Sequence, residues 1–204
     1  MKRMNAAWPA YWIVFLLFEM GLGGYMIIFD RFDQMRIINN WHIFPVDFLF
    51  RALTFSGELV FPVILLGYFL VKKRAWVKPF VFSYASSTLI VQGLKHLVFE
   101  SALRPYAYFK ALDIPWYLVL GVEMNEYNSF PSGHTAAAWF CFVWIALLAN
   151  KRWPAVLCGL WACGVGISRV YLFQHFPVDV AFGAFIGISS SSIFYYLYHE
   201  TIAA

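Results

Sequence analysis

Six long apolar runs, separated by short polar segments, constrain what this chain can fold into more than any other feature. Tyr11–Phe29, Phe55–Val71, Val77–Phe99, Thr135–Ala149 and Pro154–Val170 each carry at most two charges. A sixth, Val178–Tyr198, is richer in Ser and Gly but has no charge after Asp179. A helix of about 20 apolar residues crosses roughly 30 Å of hydrocarbon. The pattern therefore predicts an all-α polytopic membrane protein with six transmembrane helices in a bundle. A soluble globule is excluded by composition: 62% of the 204 residues are hydrophobic and only 13% charged, too little polar surface to cover such a core. Trp8, Tyr11, Trp12, Trp76, Trp116, Tyr117, Trp153, Tyr195, Tyr196 and Tyr198 gather near the run ends, as in the aromatic belts of membrane interfaces.

The location of charge sets the expected topology. Lys2 and Arg3 precede the first run. Lys72, Lys73, Arg74 and Lys78 lie around the junction of the second and third, and Lys151 and Arg152 between the fourth and fifth. Positive segments stay inside. Both termini are then cytoplasmic, and the chain is a multi-pass protein of the cytoplasmic (inner) membrane. The first run reads as a retained anchor rather than a signal peptide, because it is long and lacks a small-residue cleavage site. The basic clusters are short topology signals, so no nucleic-acid partner is expected; membrane lipids are, and no obligatory protein partner is evident. Cys141, Cys158 and Cys163 fall inside runs and read as packing residues. No His or Cys spacing suggests a metal. Residues 1–204 read as a single domain without repeat or linker. Asp30–Leu53 either lies on the membrane surface as an amphipathic helix interrupted near Pro45 or packs as a connecting loop.

The chemistry-bearing residues share one face under this topology. Lys95 lies near the outer end of the third run, and Arg104-Pro105 follows. The fourth run is preceded by Pro131-Ser132-Gly133-His134. Arg169 ends the fifth, His175 follows, and Asp179 starts the sixth. Intramembrane charge is costly and marks function by default. Lys95, Arg104 and Arg169 suit a phosphate dianion. Ser132 suits an N-cap, and Gly133 leaves helix N–H groups approachable by an anion. A helix starting near Pro177 would keep the His175 imidazole neutral, and Asp179 one turn on would orient it. His134 is placed to act as an acid. Nucleophile, orienting carboxylate, proton donor and anion cradle make up a site that needs no cofactor.

Lys95…Arg104-Pro105, Pro131-Ser132-Gly133-His134 and Ser168-Arg169-x5-His175-x3-Asp179 resemble the three motifs of the type 2 phosphatidic acid phosphatase (PAP2) superfamily. The motif-bearing core is 80–200; the first two runs are only compatible with the family. The resemblance implies a six-helix bundle and metal-independent phosphate ester hydrolysis through a phosphohistidine. Carried over by position, His175 is the nucleophile, Asp179 its partner and His134 the acid. Lys95, Arg104, Ser132, Gly133 and Arg169 bind phosphate. In one respect the chain departs from the pattern. The family has six residues between Lys and Arg-Pro, whereas eight stand here. A separation of nine is about 2.5 helical turns, roughly 13.5 Å, which puts the two cations on opposite faces of a continuous helix. The helix is therefore expected to end or distort around Glu100–Ser101, unless Arg104 recognises another part of the substrate.

The reaction expected is in-line attack by His175 while His134 protonates the leaving oxygen, then hydrolysis of the phosphohistidine with His134 as base. A site at the bilayer rim suits a lipid phosphate: undecaprenyl pyrophosphate, phosphatidylglycerol phosphate, phosphatidic acid or a lipid A phosphate. An outward-facing site suits the polyprenyl pyrophosphate. Two alternatives stay open, a lipid phosphotransferase and a non-catalytic lipid-binding or transport protein on the same fold. Glu58, an intramembrane acid, could reach the site. Asp113, Glu123 and Glu126 either select a head group or solvate a loop. His42, His96 and His199 have no motif partner and read as structural.

Overall fold

The computed structural model describes residues 5–110, 112 and 114–203; Lys2, Arg3 and Asp113 lie outside these. All regular structure among the described residues is helical: α1 (Ala7–Ile28), α2 (Arg31–Asn39), α3 (Phe44–Phe55), α4 (Val60–Lys72), α5 (Val77–Gly93), α6 (Pro105–Phe109), α7 (Gly133–Ala149), α8 (Arg152–Tyr171) and α9 (Pro177–Ala203). A 3-10 turn, Arg74–Trp76, leads into α5, and one π-helical turn, Leu94–Val98, extends it. Three of these helices, Ala7–Ile28, Arg152–Tyr171 and Pro177–Glu200, are long and apolar enough to cross a membrane. A fourth crossing results if α3 and α4, bent by 46°, form one broken span. Large apolar side chains such as Leu17, Met20, Ile64, Leu157, Leu160 and Phe185 point outward. So much exposed apolar surface fits a lipid solvent and not water.

Each apolar run is helical, but the second is shorter than its sequence suggests. Phe55 closes α3, and α4 has 13 residues, about 20 Å. The N–H groups of Ser56, Gly57 and Glu58 donate three residues back rather than four, and the Ser56 hydroxyl donates to the Leu53 carbonyl at 2.7 Å. The chain tightens and turns there. Before the bend, the segment 30–53 forms two helices. Asp30 caps α2 by accepting from the Asp33 N–H at 2.8 Å, and Pro45 sits in the first turn of α3, where its missing donor is not needed. Phe44, Phe48 and Leu49 of α3 face outward, whereas Asp47 is buried. Its carboxylate meets His42 Nδ1 at 2.8 Å and accepts from the Tyr117 hydroxyl at 3.1 Å and from the Tyr171 hydroxyl. This cluster, with the His42 ring against those of Tyr117 and Tyr171, bolts α3 to α8.

Helix α7 is the axis of the bundle. It packs against α8 and α9, α1 packs on α8, and α5 packs on α9. Ala138, Trp139, Phe140, Val143 and Trp144 are all fully buried. The closest approach is between α7 and α9 and uses Gly183 and Gly187, one turn apart. A Cβ at Gly183 would meet the Ser132 carbonyl oxygen at 2.5 Å, and one at Gly187 would collide with the Ala136 carbonyl. Small residues at this spacing let helix backbones touch. The contact holds the N-terminal ends of α7 and α9 together, and the Ser132 N–H donates to the Asp179 carbonyl at 2.9 Å. Gly183→Ala is expected to destabilise the protein by about 1–3 kcal/mol, read as a lower thermal unfolding midpoint in detergent. Gly21→Ala, where a Cβ meets nothing within 4 Å, is expected to leave the midpoint in place.

The turns that carry Lys72–Arg74, Lys151 and Arg152 lie at the other end. The Asn5 side chain donates to the Leu147 carbonyl at 2.8 Å, and the Ala6 N–H to Asn150 Oδ1 at 2.9 Å, which seats the start of α1 beside the turn to Lys151 and Arg152. Trp76, after Lys72–Arg74, packs its ring on Trp144 near the end of α7.

Candidate active site

Three polar stretches converge where α7 and α9 begin. The first is the turn from α8 to α9. Helix α8 runs to Tyr171, and the chain reverses through Phe173, whose φ of 60° is left-handed. The Arg169 carbonyl then accepts from the N–H groups of both Gln174 (3.0 Å) and His175 (3.1 Å), which folds His175 back over Arg169. Helix α9 opens at Pro177, as its sequence suggests. Asp179, two residues further, returns its Oδ2 to the Phe176 N–H at 3.0 Å. An acid reaching back to the cap N–H is half of a capping box. The same oxygen accepts from the Ser129 hydroxyl at 2.5 Å and lies 3.4 Å from His175 Nδ1. That is a close approach and longer than a formed hydrogen bond.

His175 is 1% exposed. Burial pushes its pKa well below the ordinary histidine value, and the charges of Arg104, Arg169 and Lys95 push the same way. Burial and the neighbouring cations both favour the neutral ring. The α9 N-terminus, from which the sequence explains this neutrality, adds to the same effect.

The second stretch is the start of α7. Ser132 is the N-cap, and its Oγ accepts from the Thr135 N–H at 3.4 Å and from the Thr135 hydroxyl at 2.8 Å. Gly133 and His134 begin the helix, and His134 is half-buried. Its ring lies within the fields of Arg169, His175, Arg104 and Lys95.

The third is the end of α5. Lys95 sits in the π-helical turn and is 8% exposed. The distortion expected around Glu100–Ser101 begins earlier, at Leu94. The wider turn rotates Lys95 inward, and the helix ends at Val98 with Phe99 leaving it. Arg104 is then free of the helix, in extended geometry (φ −77°, ψ 161°) ahead of Pro105. Single π turns recur at functional sites.

What holds the cations is a loop stretch, turning at Asn128 with a φ of 57°, that sequence reasoning missed. The Glu126 carbonyl accepts from the Arg104 N–H (2.8 Å), the Tyr127 carbonyl from Arg104 Nε (2.9 Å) and the Asn128 carbonyl from Lys95 Nζ (2.9 Å). Ser129, next along, holds Asp179. Gln174, 2% exposed, was missed as well: its Oε1 accepts from Arg104 Nη1 at 3.1 Å while its Nε2 donates to the Glu123 carbonyl at 3.0 Å. Thr54 of α3 was the third, accepting from Arg169 Nη1 at 2.7 Å. Backbone carbonyls have no side-chain signature, and Gln174 and Thr54 carry no motif of their own. The loop acids Glu123 and Glu126 contribute carbonyls to this frame, and the Glu126 carboxylate pairs with Lys110 at 2.8 Å. His199 meets only its own helix, at the Tyr196 carbonyl.

Lys95, Arg104, Ser132, Gly133, His134, Arg169, His175 and Asp179 are thus brought to one end of the bundle, opposite the basic turns. Glu58 joins them, lining the same cavity as Gly133 and His134.

Similarity to other proteins follows the same residues. The sequence profile of the PAP2 superfamily matches residues 76–203. The chain is 35% identical over 87 residues to a lipid A 4'-phosphatase of Bacteroides thetaiotaomicron, covering 43% of this chain and 38% of that protein. It is 29% identical over 185 residues to an undecaprenyl-diphosphatase of Sulfolobus acidocaldarius, covering 87% and 85%. The crystal structure of Aquifex aeolicus LpxE superimposes with a TM-score of 0.67 at 28% identity, over 80% of this chain and 93% of that one. The match therefore spans little more than a third of the first relative and most of the other two.

Proposed function

The chain belongs to the PAP2 superfamily, and from that premise we propose that it is a membrane phosphatase that removes phosphate from a lipid phosphate mono- or pyrophosphate ester. The observation that carries this reading is the convergence of three cations from separate segments around two histidines. A phosphoryl group seated among Lys95, Arg104 and Arg169, with the free N–H groups at the start of α7 beneath it, would have its equatorial charge met from several sides. Ser132 and Gly133 supply that helix end. His175 directs Nδ1 toward Asp179, which leaves Nε2 for the phosphorus. The N–P bond forms as the P–O bond to the leaving group breaks, and His134 gives its proton to the departing oxygen. Water then attacks the phosphohistidine, His134 takes the water proton, and phosphate and free His175 result.

On this reading six helices cross the membrane, with α3 lying along the interface on its outward Phe44, Phe48 and Leu49 and α4 making a short second crossing. The basic turns then face the cytoplasm with both termini, and the site faces the outer side of the cytoplasmic membrane. Residues 1–204 act as one domain. The decisive measurement is phosphate release by the purified protein in detergent from a panel of lipid phosphates. Release that vanadate inhibits and chelator leaves intact is the expected result; no release from any member sinks the reading.

A further inference from the structure

A cavity of about 450 Å³ runs from His134 down between the α3–α4 bend, α5 and α7. Its walls are unexpectedly polar for this depth. Tyr84, Thr88 and Gln92 stand on successive turns of one face of α5, a stripe that leads up toward Lys95 and spans about 12 Å. Glu58 enters from the α3–α4 bend. That bend packs directly on the α7 start: a Cβ at Gly57 would meet the His134 carbonyl oxygen at 2.7 Å. Glu58 and Gln92 are both exposed to the cavity.

Polar side chains at membrane depth are costly and persist where they line a substrate path. This path ends at the histidine that faces the departing oxygen, so the alcohol part of the substrate lies in it. A bare hydrocarbon there would strip water from Glu58, Gln92 and Thr88 and return no hydrogen bond. Resting on the lipid-phosphatase reading, we infer that this cavity selects a leaving group with hydroxyl or amide groups beside the phosphoester. An acylated sugar or a glycerol alcohol meets this requirement; an unbroken polyprenyl chain or a hydroxyl-free diacylglycerol does not. Glu58 accepts from its hydroxyls, and Gln92 both donates and accepts.

The test measures kcat/KM for phosphate release from two pairs. An acylated glucosamine 1-phosphate and phosphatidylglycerol phosphate carry such groups; phosphatidic acid and a polyprenyl monophosphate lack them. The wild type is expected to favour the first pair, and Glu58→Gln and Gln92→Leu to lower that preference about tenfold each. Because the preference is a ratio taken on one sample, a smaller folded fraction in a variant does not move it. A wild type that favours the second pair, or variants that leave the ratio in place, overturns the inference while the phosphatase reading stands. Silence toward all four substrates overturns both.

Discussion

His175→Ala is expected to lower phosphate release by about 10⁴-fold or more while the purified variant elutes with the wild type. The size follows from the absence of a substitute among its neighbours. The Ser132 hydroxyl is turned to Thr135 and the Ser129 hydroxyl to Asp179. Neither is aimed where His175 stands. Lys95 and Arg104 are tied through Asn128 and Tyr127 carbonyls, and their charge suits them to hold phosphate rather than attack it. His175, by contrast, is buried, neutral and flanked by cations that would stabilise an incoming dianion. A stopped reaction with a ³²P-labelled lipid, quenched in alkali because a phosphohistidine is labile to acid, is expected to leave label on the wild-type chain and none on the variant. A folded His175→Ala protein that keeps more than about 1% of activity would remove the covalent step from the mechanism.

The helices and the third motif were legible in the sequence for a common reason: both are local. An apolar run of 20 residues has one stable form in lipid, because only a helix satisfies its backbone internally. The stretch from Arg169 to Asp179 folds as one turn between two helices, so spacing alone puts His175 over the Arg169 carbonyl and Asp179 in the first turn of α9. The Lys95–Arg104 spacing flagged a distortion but misplaced it, because hydrophobicity does not distinguish an α turn from the π turn at Leu94–Val98. The bend at Ser56–Leu59 was hidden for the same reason, inside a run apolar on both sides. Least legible was the frame around the cations. It is built from the carbonyls of residues 126–128 and from Gln174 and Thr54, which meet Arg104 and Arg169 across 70 and 115 residues of chain.

Asp179→Asn is expected to lower kcat about 10³-fold while leaving inorganic phosphate bound as well as before or more tightly. The two effects have opposite signs because the carboxylate has two electrostatic neighbours. On the proposed mechanism, the carboxylate 3.4 Å from His175 would stabilise the positive charge that develops on the ring as Nε2 bonds phosphorus, and would favour the proton on Nδ1. Toward Lys95 and Arg104, whose charges its own field reaches, it partly cancels the attraction for phosphate. An amide removes both influences. Cap geometry is separable from charge, since the asparagine oxygen can still accept from the Phe176 N–H that Asp179 holds at 3.0 Å. Ser129→Ala supplies the other half of the comparison. It keeps the charge and deletes one donor to Oδ2, so a loss of about tenfold is expected there. Measured kcat and the inhibition constant for phosphate decide between roles. A carboxylate that only caps α9 would leave Asp179→Asn with both constants near the wild-type values, because the amide oxygen keeps the cap. A carboxylate that acts on the imidazole gives a loss confined to kcat.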